Sequence, residues 1–185
     1  PQDHVLLELA RQSIDELNKR YRSPSGDSFF LFHRARAWNP RDKQWMGYER
    51  KRGKLGALNH LLRNPQTDQF ALVAGNTQTL QSVRYVITLD TDTQLPRDTA
   101  WKCVGAMAHP LNRARYDQHK QLVTEGYGIL QPRVAPSLPG ANQSLYARMC
   151  GGEAGIDPYT RAVSDVYQDV FAEGSFIGKG IYDVD

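Results

Sequence analysis

Tyr85-Val86-Ile87-Thr88-Leu89-Asp90-Thr91-Asp92-Thr93 is the stretch on which the fold reading turns. Its first five residues are apolar, aromatic or β-branched between polar neighbours, the pattern of a strand buried in a sheet. The run is then broken by two carboxylates set two apart. That end of a parallel strand is where α/β proteins place ligands. Two hard oxygen donors leaving a strand can converge on one Mg²⁺ or Mn²⁺, and such an ion neutralises charge growing on a diphosphate leaving group. An Asp/Thr turn that only terminates the strand is the competing reading, because Asp side chains bond neighbouring backbone amides well.

Working outward, helical and extended signals alternate without repeats or low complexity, which makes one α/β unit over residues 1–185 the economical reading. Asp3 can cap a helix whose apolar positions Leu6, Leu9, Ala10, Ile14, Leu17 and Tyr21 follow i, i+3, i+4 spacing, and Ser23-Pro24-Ser25-Gly26 ends it. Phe29 to Phe32 reads as a strand, and a loop bearing Trp38 and Trp45 leads to a helix around Leu55 to Leu62, closed by Asn64-Pro65. Pro96 is expected to start a helix to about Ala108. Beyond a polar stretch, the pattern predicts an extended segment from Gly128 to Val134, helices at Ser144 to Met149 and Tyr159 to Phe171, and a glycine-spaced strand near Ser175 to Tyr182.

The proportion of apolar and charged residues is that of a globular chain, which excludes disorder, collagen and coiled coil. The longest apolar runs, such as Phe70 to Ala74, fall far short of the ~20 residues that span a bilayer. Cys103 and Cys150 show no disulfide framework and no metal spacing, so a reducing compartment is expected. The chain opens on Pro1 and closes on Tyr182-Asp183-Val184-Asp185, and we expect it to be a piece of a longer polypeptide.

The formal net charge is +3, but it is unevenly spread: residues 1–63 carry 13 Lys/Arg against 7 Asp/Glu, and residues 64–185 carry 10 against 13. The excess concentrates in Arg34, Arg36, Arg41, Lys43, Arg50, Lys51, Arg52 and Lys54, which suggests a local anionic partner. Glu49-Arg50-Lys51-Arg52-Gly53-Lys54 runs straight into the second expected helix. Cations, a glycine and a helix N-terminus together can make an anion site, since free amides and side-chain charges can point at one phosphate. The bland alternative is a solvated basic stretch before a surface helix.

Trp45-Met46-Gly47-Tyr48-Glu49-Arg50-Lys51-Arg52-Gly53-Lys54-Leu55, the Asp90-Thr91-Asp92 strand and the stretch from Gly155 to Arg161 and from Phe171 to Asp185 resemble the glycosyltransferase domain of bacterial cyclic β-1,2-glucan synthases. More distantly, Gly53-Lys54-Leu55-Gly56-Ala57-Leu58-Asn59 and the Asp-x-Asp are similar to motifs of processive transferases such as cellulose synthase. The resemblance implies a GT-A-like sheet flanked by helices, present as part of a catalytic domain. It implies UDP-glucose as donor, a growing glucan as acceptor and inversion at the anomeric carbon. Asp90 and Asp92 would hold Mg²⁺ or Mn²⁺ and the diphosphate, and Lys54 with Arg52 would meet the nucleotide. Gly174, Ser175 and Gly178 look like the glycine-rich strand near the acceptor. The general base is then expected beyond Asp185, so the isolated chain is expected to be inactive. The parent enzymes look like inner-membrane proteins with a cytoplasmic transferase site, which would make the parent polypeptide the only link to a membrane.

Other functional classes fit the residues less well. A haloacid-dehalogenase-type phosphotransferase also places a nucleophilic Asp after a hydrophobic strand, but its pattern requires Thr or Val where Gln94 stands. A hydrolase could use Glu153 and Asp157, although carboxylates four apart more often share one face of a helix or loop. Trp38, Trp45 and Tyr48 beside the basic segment could stack on bases or on a sugar, but no nucleic-acid-binding motif accompanies them and no nucleic acid is expected as a partner. A non-catalytic carbohydrate- or nucleotide-binding fragment is the remaining alternative. His4, His33, His60, His109 and His119 lack paired metal spacing, and Gly174 to Gly180 has neither the spacing nor the Ser/Thr of a P-loop.

Overall fold

A computed structural model of the chain describes residues 2–66, 68–132, 145, 149, 170, 176 and 178–185. It is a mixed α/β structure of helices and small sheets, divided into two compact units. One comprises residues 1–84 with 184–185, the other residues 85–183.

The first unit opens with helix α1, Gln2–Arg20, which carries Asp3 in its first turn and Lys19 and Arg20 in its last, both matched to the helix dipole. Its covered stripe is Leu7, Ala10, Ile14 and Leu17, whereas Leu6 and Leu9, expected on the apolar face, are 64% and 54% exposed. Strand β1, Leu31–His33, begins two residues later than the aromatic run predicts. Asn18 explains the delay. Its Oδ1 accepts from the amides of Ser28 and Phe29 at 3.1 and 2.9 Å, and its Nδ2 donates to the Phe29 carbonyl at 2.8 Å. Phe29 therefore bonds to the helix side chain rather than to a neighbouring strand.

The tryptophan-bearing loop is a hairpin of strands β2, Ala37–Asn39, and β3, Gln44–Met46, with Trp38 opposite Trp45. Asn39 builds the turn: its Oδ1 accepts from the amides of Arg41 at 2.9 Å and Asp42 at 3.3 Å, after which Lys43 is left-handed at φ 49°. Helix α2, Arg50–Arg63, follows and buries Ala57, Leu61 and Leu62 on one face. It starts five residues earlier than Leu55, because Arg and Lys are good helix formers and nothing in the basic segment stops it. Strand β4, Leu72–Ala74, pairs antiparallel with β1, and α1 packs on both. A short 3₁₀ helix over Thr77–Ser82, capped by Asn76, completes the unit.

The second unit starts at strand β5, Tyr85–Thr88. Helix α3, Thr99–Ala108, begins three residues beyond Pro96, since the Thr99 amide is held by the Pro96 carbonyl at 3.1 Å in a preceding turn. The polar stretch beyond it contains a second hairpin, β6, Arg115–Asp117, with β7, Leu122–Glu125. Its turn repeats that of the first. Asp117 Oδ1 accepts from the amides of His119 and Lys120 at 2.8 and 3.0 Å, and Gln121 is left-handed at φ 53°. Strand β8, Ile129–Leu130, and strand β9, Gly180–Asp183, form with β5 a sheet of order β5-β9-β8.

Every strand pairing described is antiparallel, so β5 is not the parallel strand the sequence suggests. A run of apolar and β-branched residues specifies burial, not the direction of its neighbour. The buried centre is β9, where Ile181 is wholly inaccessible and Tyr182 is 9% exposed. Thr88, the buried residue of β5, donates its hydroxyl toward the Gly180 carbonyl at 3.4 Å. The helices expected at Ser144 to Met149 and Tyr159 to Phe171 fall largely outside the described residues.

Candidate functional site

Asp90 and Asp92 leave the end of β5 in a tight turn, with the Thr93 amide donating to the Asp90 carbonyl at 3.0 Å. The turn reading does not exclude the site reading: the backbone bond fixes the loop through main-chain atoms alone. Asp92 is exposed and Asp90 is half-buried. Across the sheet Thr88 is paired with Gly180, so the residues that follow β5 run beside those that precede β9. That register brings Lys179 to Asp90, with Nζ 2.9 Å from Oδ2. The ammonium is 23% exposed and the carboxylate 38%, so water screens the pair less than it screens a fully exposed one.

Of the three glycine-strand residues singled out, Gly178 lies at this place, while Gly174 and Ser175 lie outside the described residues. Gly178 is left-handed at φ 83°, a conformation that favours glycine. Gly180 is required for another reason: a Cβ there would stand 2.5 Å from the Leu130 carbonyl oxygen on β8. Lys179 is held between these two glycines. The sequence reading gave it no part, and the signal that could have found it is the pairing of β5 with a distant strand.

The donor set suits a hard divalent cation. Asp90 and Asp92 offer only carboxylate oxygens, which Mg²⁺ and Mn²⁺ prefer. No cluster of three or more His, Cys, Asp or Glu side chains that could hold a metal ion gathers among the described residues.

Arg52 and Lys54 belong to the first unit. Both are exposed on the opening turns of α2, inside the helix rather than before it. Arg52 lies 3.6 Å from Glu49, and Glu49 and Arg50 are both left-handed, at φ 50° and 42°. Glu49 caps no amide with its side chain and the first turn holds no acid, so the cations face the positive end of the helix dipole. An anion would relieve that repulsion. On the preceding hairpin the Trp38 and Trp45 rings meet edge to face with centroids 6.1 Å apart, 51% and 65% exposed.

No helix among the described residues is long and apolar enough to cross a membrane. No family model matches the chain. The chain is 47% identical over 186 residues to the cyclic beta-(1,2)-glucan synthase NdvB of Rhizobium meliloti (strain 1021), an alignment that takes in all of this chain and 6% of that protein. The chain is therefore related along its whole length to one short region of a cyclic beta-(1,2)-glucan synthase.

Proposed function

We propose that the chain forms part of a donor-binding site for a glycosyltransferase that builds a cyclic β-1,2-glucan from UDP-glucose. The observation that carries this reading is the 47% identity to a glucan synthase over an alignment that takes in the whole chain. The local chemistry agrees with it. Asp90 and Asp92 supply the hard oxygens for Mg²⁺ or Mn²⁺, and such an ion, when bound, draws charge from a departing diphosphate. Lys54 supplies positive charge for the nucleotide, and Arg52, which lies 3.6 Å from Glu49, supplies more once a diphosphate competes with that carboxylate. Gly178, with Gly174 and Ser175, is assigned to the acceptor side.

Inversion needs a base that takes the proton of the attacking hydroxyl, and we assign that role to no residue of this chain. The division of labour is then donor activation by these residues and acceptor activation elsewhere in the enzyme. Calorimetric titration of the chain with UDP tests the donor half. Affinity is expected to require Mn²⁺ or Mg²⁺, and Asp92→Asn is expected to weaken it at least tenfold, about 1.4 kcal/mol, because a charged ligand is lost. Equal affinity in the presence of a chelator, or in the Asn variant, would overturn the reading.

A further inference from the structure

The carboxylate assigned to the metal already carries a cation. Lys179 Nζ stands 2.9 Å from Asp90 Oδ2, and the contact follows from the β5–β9 register rather than from a chance meeting of long side chains. Gly178, left-handed, and Gly180, which has no room for a Cβ, fix the path of the backbone on either side of the lysine. An ammonium and a divalent ion cannot share one carboxylate without mutual repulsion. Binding of the ion alone must therefore overcome both the existing pair and the charge of the displaced lysine. A diphosphate changes the balance, since it brings negative charge that the released ammonium can take up.

We propose that Lys179 is a resident counter-ion of Asp90 that couples the two ligands: it opposes a divalent cation arriving alone and favours one arriving with an anionic diphosphate. The inference rests on the reading of Asp90 as a metal ligand and goes beyond it by naming Lys179 as the positioning residue that links metal and nucleotide. Coupling of this kind is reciprocal, so it can be read from either ligand.

The test is Mn²⁺ binding to the full chain, measured by electron paramagnetic resonance with and without UDP. In the unaltered chain UDP is expected to raise Mn²⁺ affinity strongly. Lys179→Met removes the charge, so Mn²⁺ alone is expected to bind roughly fivefold tighter, the scale of one partly exposed ion pair. The enhancement by UDP is expected to fall by roughly tenfold, because the ammonium no longer meets the diphosphate. Lys179→Gln should give the same two shifts, and Lys179→Arg should keep most of the coupling. Thermal unfolding of each variant separates these shifts from loss of the fold. A merely structural lysine would weaken Mn²⁺ binding on removal, and that outcome, or an unchanged UDP enhancement in both neutral variants, overturns the inference. A chain that binds no Mn²⁺ even with UDP overturns the donor-site reading and this inference with it.

Discussion

Ile181→Ala is expected to open the sheet that holds Asp90 beside Lys179. Ile181 is fully buried at the centre of β9, paired with Ile87 on one side and Leu130 on the other. Truncation to alanine removes three carbons, about 2.4 kcal/mol of transfer free energy at ~0.8 kcal/mol each, and leaves a cavity whose term brings the total to about 3–4 kcal/mol. At 1.4 kcal/mol per factor of ten, that is at least a hundredfold rise in the opening equilibrium of the sheet. Hydrogen exchange at the amides of β5 and β9 reads that equilibrium directly. Ile129→Ala is the matched control, because Ile129 lies on β8 in the same sheet but is 48% exposed, and its loss should cost under ~1 kcal/mol. Protection that is unchanged in Ile181→Ala, or equally reduced in Ile129→Ala, would show that β9 is not the structural centre of this unit.

Gly180→Ala should destabilise by about 1–3 kcal/mol in urea titration, since its Cβ would stand 2.5 Å from the Leu130 carbonyl and a paired backbone must shift. Gly56→Ala, within α2 and with nothing inside 4 Å of the added atom, should instead stabilise by about 0.5–1 kcal/mol; a gain at 180 or a loss at 56 contradicts the packing described. On α1, Arg11 and then Gln12 donate to Glu8 and hold its carboxyl below the ordinary glutamate range. A depressed carboxylate stabilises the fold above its unfolded pKa, and that contribution disappears as pH falls through the folded value. Carbon-detected titration of Glu8 should show the low midpoint, and Arg11→Ala should raise it; a midpoint at or above that of a free glutamate refutes the pairing.

Legible in the sequence are the helices α1, α2 and α3, and the strands β1, β5, β8 and β9, whose aromatic, β-branched or glycine-spaced runs overlap the observed strands with shifted ends. The hairpins were not, although both carried a readable sign. Each has strands of three or four residues, too short for alternation to stand out, and each turns on an Asx residue that accepts from the amides two and three places on. Asn39-Pro40-Arg41-Asp42 and Asp117-Gln118-His119-Lys120 could therefore have been read as turns from the side-chain chemistry alone. The early start of α2 was hidden by a different assumption, that a basic glycine-bearing segment must be loop. Gly53 sits within the helix, and the position requires glycine because a Cβ there would crowd the Tyr48 carbonyl and the Arg34 guanidinium.

The site divides along the same line. The turn that carries Asp90 and Asp92 at the end of β5 was legible because both its spacing and the strand before it are local. Lys179 was not, because its meeting with Asp90 depends on pairing Thr88 with Gly180, 92 positions apart. Local sequence cannot distinguish that antiparallel return from the parallel neighbour a buried strand suggests. The difference matters for chemistry. A parallel neighbour would itself be leaving the sheet at the Asp90 end, so its closing residues would stand opposite the carboxylates. The antiparallel return instead brings the chain inward at that end, and Gly178-Lys179-Gly180 crosses beside Asp90 on its way into the core strand. A cation is thereby built into the carboxylate site by the same register that buries Ile181, so a change that loosens β9 should also loosen the Lys179–Asp90 pair.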